Sequence, residues 1–261
     1  MSSYDLLEAV YDEPAHRPVT RRYVIASVPR SGSTLLAEGL MAAGLGVPAE
    51  YFDLDATVPK LAARWGVSDM DAYLERLYGL RSRNGVFGLK IHWHQLVFIV
   101  NEALGRDRNA DLAYEHARRV LEHFIPDPVY VRIRRRDLDR QTVSHFVASG
   151  TGRWVDTGSG GERPSLPPYD FEHLERIRAY LTLCEAAWDR YFELAGISPH
   201  TVIYEDLVSD YQATVAAVAR HLGGDGGPVP PPRLRRQASD ATEEMVARYR
   251  AERRRHAPVP A

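Results

Sequence analysis

The run Tyr23-Val-Ile-Ala-Ser-Val-Pro-Arg-Ser-Gly-Ser-Thr34 constrains the fold more than any other stretch of this chain. Tyr23 to Ser27 is an apolar segment of the kind that forms a strand buried on both faces, and Leu35, Leu36, Leu40 and Met41 follow at helical spacing. The hydroxyl-rich turn between them therefore ends at a helix N-terminus, where unpaired N–H groups and the positive end of the helix dipole converge. Gly32 permits close backbone approach, Ser31, Ser33 and Thr34 add hydroxyl donors, and Arg30 adds a full charge. Such a turn suits a phosphate. It is not the G-x-x-x-x-G-K-[ST] loop of magnesium-dependent NTPases, because it holds a single glycine and no lysine follows. A corner whose Ser and Thr merely cap the helix would have no use for Arg30.

The rest of the chain alternates strand and helix patterns. Leu54 to Trp65 and Ser68 to Arg83 read as helices, the second opened by Ser68 with Asp71 three residues on. Val86 to Ile91 reads as a strand, His94 to Leu104 and Asp111 to Phe124 as helices, and Val129 to Ile133 as a third strand after Pro126 and Pro128. Asp137 to Ser149 and Asp170 to Ala195 are helical, Thr201 to Tyr204 is a short strand, and Ser209 with Gln212 predicts the start of a helix ending near Leu222. Thr242 to Arg255 reads as an exposed, Arg-rich terminal helix. The pattern predicts an α/β fold with a P-loop-like, mainly parallel sheet flanked by helices, whose ligands bind outside the carboxyl ends of the strands. Residues 1–21 read as a flexible N-terminal extension, 22–256 as one domain and 257–261 as a tail. Within the domain, 150–168 is either disordered or a functional lid, and 223–232 is a Gly/Pro linker.

A chain of 261 residues with 44% hydrophobic content can bury a substantial core. Its 33 Lys and Arg against 35 Asp and Glu leave a net charge of −2, which argues against general nucleic-acid binding, so any anion site is local. No apolar stretch reaches membrane-spanning length and no secretory or lipid signal shows at the N-terminus, so a cytoplasmic protein is the expectation. The single cysteine, Cys184, lies on an apolar helical stripe and reads as core packing.

A second basic feature, Arg132-Ile-Arg134-Arg135-Arg136-Asp137, stands where the third strand leaves the sheet. Period-2 alternation sets Arg132 and Arg134 on one face, while Arg135 and Arg136 fall in the turn, the better position for an anion ligand. Taken with the first turn, this implies a ligand with separated anionic groups. The pieces resemble a PAPS-dependent sulfotransferase: Pro29-Arg-Ser-Gly-Ser-Thr34 as the 5′-phosphosulfate cradle, Arg-x-Asp with Gln141 and Ser144 as the 3′-phosphate clamp, and Tyr204-Glu-Asp-Leu207. Within that superfamily the chain is most similar to the bacterial Stf0 group. The marks are Pro48-Ala-Glu-Tyr-Phe52, Gly88-Leu-Lys-Ile-His-Trp93, and Arg236-Gln237 ahead of Glu243 to Arg250. Their order and spacing over about residues 22 to 250 carry the resemblance.

The resemblance implies sulfuryl transfer from PAPS to a hydroxyl of a carbohydrate or glycolipid acceptor, with trehalose or a related sugar as the guide, PAP as product, no metal, and a homodimer. By the same token Arg30, Ser31, Gly32, Ser33, Thr34, Arg135, Arg136, Ser144 and Arg236 would bind the nucleotide. Arg-x-Asp points most directly to Arg135, but Arg136 stands where the family often has proline, which leaves the principal 3′-phosphate contact open between the two. Glu50, in the P-x-E-[FY]-F segment, would be the base that takes the acceptor proton, with Arg30 stabilising the departing phosphate. Tyr51, Phe52, Lys90, His92 and Trp93 would line the acceptor pocket. His92 and His94 share a face, yet no third His or Cys lies at ligand spacing, so no zinc site is expected. Trp154 reads equally as a sugar-stacking lid residue and as a loop anchor. The alternatives that share the first turn are a P-loop-like nucleotide-dependent kinase and a nucleotide-binding module without turnover.

Overall fold

A computed structural model describes residues 5–108, 110–157, 164–235 and 239–256. Among them, four strands form one sheet in the order β2-β1-β3-β4, with β1 at Arg21–Ser27, β2 at Val86–His92, β3 at Val129–Arg134 and β4 at His200–Ile203. Every pairing is parallel, and β1 lies opposite β2 from Arg21↔Val86 to Ser27↔His92. Tyr23, Val24, Ile25 and Ala26 have no exposed surface, as expected of a central strand covered by helices on both sides.

Helices α1 (Ser33–Ala42), α2 (Thr57–Trp65) and α3 (Met70–Arg81) carry the chain from β1 to β2. Helices α4 (Trp93–Ala103) and α5 (Tyr114–Phe124) lead across to β3, and α6 (Leu138–Thr151) and the long α7 (Phe171–Ala195) lead on to β4. The chain leaves β1 toward one edge of the sheet and leaves β3 toward the other. The crevice at the carboxyl ends of these adjacent strands is the topological switch point, where open α/β sheets bind ligands. The short α8 (Tyr204–Ser209), α9 (Tyr211–His221) and α10 (Asp240–His256) close that end of the molecule.

Several boundaries differ from expectation for local reasons. Asp69, not Ser68, caps α3 by accepting from Ala72 N–H at 2.9 Å, and Asp210, not Ser209, caps α9 by accepting from Ala213 N–H at 3.0 Å. A carboxylate one residue nearer the helix wins each cap. Gln212 instead holds Val229, accepting its N–H at 3.1 Å and donating to its carbonyl, which pins the Gly/Pro linker. Helix α10 is not a solvated helix: Met245, Val246 and Tyr249 are buried, and Arg250 donates to both oxygens of Asp137 at 2.7 Å. Helix α6 extends into the stretch read as loop, to Thr151, and residues 158–163 of that loop lie outside the described residues.

Part of the stretch read as a flexible extension, from Leu6 to Asp12, is also held in place. Arg81, fully buried on α3, donates to the carbonyls of Leu6 (2.6 Å), Leu7 (3.3 Å) and Glu8 (3.2 Å) and pairs with Asp12. A buried guanidinium needs acceptors on all sides, and this segment supplies them.

Candidate active site

Strand β1 ends in a loop whose geometry is dictated at two positions. Gly32 has φ 89°, and a Cβ added there would lie 2.4 Å from Tyr204 Cδ2, so only glycine fits. Arg30 occupies the left-handed region at φ 65°, a conformation that a non-glycine residue adopts at a cost. No side chain caps α1 at Gly32, so the hydroxyls of Ser31, Ser33 and Thr34 do not serve as its N-cap. Its first N–H groups remain directed at the mouth of the loop. Ser31 is fully buried, and its Oγ has no hydrogen-bond partner among the described residues.

Arg135 reaches the same place from β3. Its Nη1 donates to the carbonyl of Arg30 at 3.2 Å, and its guanidinium lies 4.5 Å from the centre of the Tyr204 ring, which in turn covers Gly32. Arg30 Nε donates to Ser144 Oγ at 2.9 Å, and its Nη1 to the carbonyl of Trp154. Burial first, and the charge of Arg135 second, bring the Arg30 guanidinium down to about 10, against an opposing contribution from Tyr204. Two buried cations that repel each other are relieved by an anion bound between them.

The other arginines of the run go elsewhere. Arg132 and Arg134 do share a face, but both turn to α7: Arg132 pairs with Glu185 beneath Trp188, and Arg134 with Glu185 at 3.1 Å and Asp189 at 3.0 Å. Arg136 points away from the cavity and makes a bidentate pair with Asp206 at 2.8 Å on the surface. Of the turn pair, then, Arg135 faces the crevice. Tyr204-Glu-Asp-Leu207 explains the divergence: Tyr204 stacks on Arg135, Glu205 accepts from the N–H groups of Arg136 (3.0 Å) and Asp137 (3.2 Å), Asp206 takes Arg136, and Leu207 is buried.

Glu50 reaches the rim by an unusual route. Ala49 bridges Leu89 in parallel fashion, and Lys90 N–H donates to Ala49 O at 3.0 Å, so the connection runs beside β2 like a fragment of strand. Glu50 Oε1 then meets Lys90 Nζ at 2.8 Å and His92 Nε2 at 3.4 Å, and Oε2 accepts from Gln95 Nε2 at 2.8 Å. Burial pushes the Glu50 carboxyl up, but Lys90 and His92 together outweigh it and hold it well below the usual carboxylate range. Lys90 also donates to Thr34 Oγ1 at 2.9 Å, linking the carboxylate to the first turn of α1. His92 Nδ1 lies 3.0 Å from Ser27 Oγ, which donates to the carbonyl of Ile91.

These groups line one cavity of about 850 Å³ that includes Arg30, Gly32, Ser33, Thr34, Glu50, Lys90, His92, Arg135, Ser144 and Tyr204. Tyr51, Phe52 and Trp93 do not line it. Tyr51 and Phe52 pack in the core against Phe87 and Phe124, and Trp93 packs edge-on against Trp188. Large aromatic rings next to a short strand gain more from burial than from a rim position. Trp154 is 46% exposed, lines the cavity, and meets His145 edge-on at 5.6 Å. His94 Nδ1 is bound to Tyr180 Oη at 3.1 Å, and no cluster of three or more metal-ligating side chains occurs among the described residues. Arg236 lies outside the described residues; its neighbour Arg235 lines the cavity.

Sequence reasoning passed over Gln95, Tyr204 and Glu38 as site residues. Gln95 carried a signal, because a glutamine three residues after a strand end reads as half of a capping box, and it accepts from His92 N–H at 2.9 Å. Glu38 gave none: it is buried on α1 and accepts from the N–H groups of Arg233 (3.0 Å) and Leu234 (3.3 Å), holding a remote segment at the cavity mouth.

The model of the Stf0 sulphotransferase family matches residues 22–252. A trehalose 2-sulfotransferase of Mycobacterium tuberculosis (strain ATCC 35801 / TMC 107 / Erdman) is 32% identical over 258 residues, covering 89% of this chain and 95% of the relative. A trehalose 2-sulfotransferase of Mycolicibacterium smegmatis is 28% identical over 259 residues, covering 89% and 96%. A crystal structure of a sulfotransferase from Alicyclobacillus acidocaldarius aligns with a TM-score of 0.44 at 16% identity, over 93% of this chain and 97% of that one. The chain belongs to the Stf0 sulphotransferase family. It is a sulfotransferase, built on the parallel sheet and switch-point cavity described above.

Proposed function

We propose that this sulfotransferase takes its sulfuryl group from PAPS and delivers it to a hydroxyl of trehalose or a closely related sugar. One observation carries the reading: a single cavity holds the uncapped cationic loop, Arg135 and an ionised carboxylate tied to that loop through Lys90. A volume of about 850 Å³ falls within the range of sites that take a ligand of nucleotide or drug size. Trehalose enters from the names of the two relatives.

Sulfuryl transfer, like phosphoryl transfer, needs in-line placement and stabilisation of charge on the leaving group more than covalent participation by the protein. Arg30 and the N–H groups that open α1 supply oriented positive charge for the 5′-phosphate, and Arg135 supplies it for the 3′-phosphate, with Tyr204 fixing the guanidinium plane. Glu50 accepts the proton of the acceptor hydroxyl at Oε1 or Oε2. Its carboxylate is weakly basic while Lys90 holds it. When Lys90 turns its N–H groups to the anionic donor, Glu50 loses its strongest partner and its proton affinity rises as the hydroxyl becomes acidic. His92 and Gln95 keep the carboxylate in place during that exchange.

Incubation with labelled PAPS and a panel of mono- and disaccharides should release PAP and yield a sulfated sugar, with trehalose or a near relative the best acceptor. Glu50→Gln should retain PAP binding and lose about 10²- to 10⁴-fold in turnover. Near-parental turnover in that variant would remove Glu50 from the chemistry, and PAPS left intact with every acceptor would remove the donor assignment.

A further inference from the structure

We infer that the N-terminal segment from Asp5 to Asp12 forms one wall of the acceptor end of the cavity and helps to decide which acceptors fit; this rests on the function proposed above. The segment precedes the residues matched by the family, which begin at 22. Yet Asp5, Leu6 and Leu7 line the same cavity as Glu50, beside Asp53, Ala56 and Thr57. Asp53 N–H donates to Glu50 O at 3.3 Å, so this wall stands one turn from the carboxylate proposed to take the acceptor proton. The cationic groups that suit the nucleotide, Arg30 and Arg135, issue instead from the ends of β1 and β3.

The segment is built into the fold. Arg81 binds three of its carbonyls and Asp12, Trp65 Nε1 donates to Asp12 Oδ2 at 3.0 Å, and Lys60 on α2 pairs with Asp5 at 2.7 Å. Asp5 is spent on shape: Oδ1 accepts Leu7 N–H at 2.8 Å and Oδ2 accepts Lys60. Leu6 is buried, and the half-buried Leu7 packs against the core while lining the cavity. The contact this wall offers is therefore apolar, suited to the C–H face of a sugar ring, and it selects by shape and excluded water.

The test is steady-state kinetics with PAPS and trehalose, alongside PAP binding by calorimetry and thermal unfolding. Leu7→Ala should raise the KM for trehalose about tenfold, the scale of a lost apolar contact in a binding pocket, with kcat and PAP affinity near the parent. Leu7→Met, which conserves volume, should restore the KM. An unchanged KM in an active Leu7→Ala protein overturns this inference alone. A joint fall of kcat, PAP affinity and Tm marks a structural role for Leu7 and also overturns it. Failure of the parent to sulfate trehalose, with PAP still bound, overturns the acceptor reading and this inference with it.

Discussion

Replacing Arg135 and Arg136 one at a time separates two residues between which the sequence left the principal 3′-phosphate contact open, though its motif pointed most directly to Arg135. Arg135 lines the cavity with its side chain 10% exposed, stacked on Tyr204 and held to the Arg30 carbonyl. A charge-assisted hydrogen bond is worth about 1.5–3 kcal/mol, and a guanidinium can give a phosphate two. Against this, water entering the truncated site solvates the phosphate in place of the guanidinium, while Arg30, at about 10, is fully charged near neutral pH with or without Arg135. The expected net loss is about 2–3 kcal/mol, or about 30- to 150-fold in the Kd for PAP. Arg136 is more than half exposed and paired with Asp206 in solvent, so Arg136→Ala should leave the Kd within about twofold of the parent. Titration calorimetry at fixed ionic strength reads both, and the salt dependence of the Kd should flatten for Arg135→Ala only. A Kd for Arg135→Ala within threefold of the parent, or a greater loss from Arg136→Ala, would refute the assignment.

Gly32→Ala should lower Tm and weaken PAP binding together, because the new Cβ meets Tyr204 at 2.4 Å in a left-handed conformation, a strain of about 1–3 kcal/mol; thermal unfolding and calorimetry on the same preparation check it. His145, half-buried in the cavity, is brought down to about 4 from the ordinary 6.5 by burial first and by the charges of Arg30, His92, His173 and His94 after it. As pH falls the unfolded chain takes up that proton before the folded one does, so His145 costs no stability above about 6.5 and a growing amount down to about 4. Denaturant titrations across that window should show His145→Asn losing less stability than the parent, by on the order of 2 kcal/mol at the acid end after allowance for partial exposure. Parallel pH profiles for the two proteins would exclude the effect.

Much of the architecture was written locally. The apolar run at Tyr23 to Ser27, its hydroxyl-rich turn and the helical spacing beyond it require only the chain's own neighbours to form, and the structure contains β1, the loop and α1 in that order. Alternation in Arg132-Ile-Arg134 likewise put both arginines on one face. Cap choice was less legible, because Asp69 and Asp210 compete with the adjacent serines within one residue and the better-placed oxygen wins. Which residues face the cavity was not legible at all. Glu50 and Tyr51 are adjacent in the chain, yet Glu50 is held at the rim by Lys90 and Gln95 while Tyr51 turns into the core under Arg81 and Phe87.

The sequence by itself determined the hydroxyl-rich turn between β1 and α1, the alternation that makes a parallel sheet and the family to which the chain belongs, because each rests on residues close together or on a fixed order of motifs. Only the tertiary structure decided that Arg135 and not Arg136 faces the crevice, that α10 is packed against Asp137, and that the N-terminal segment walls the cavity. Those outcomes depend on partners 68 to 113 residues away, from Glu205 at Arg136 and Asp137 through Leu6 and Leu7 at Arg81 to Arg250 at Asp137. The energy of a buried charge is set by the groups that reach it through space, and spacing along the chain does not encode which groups those are.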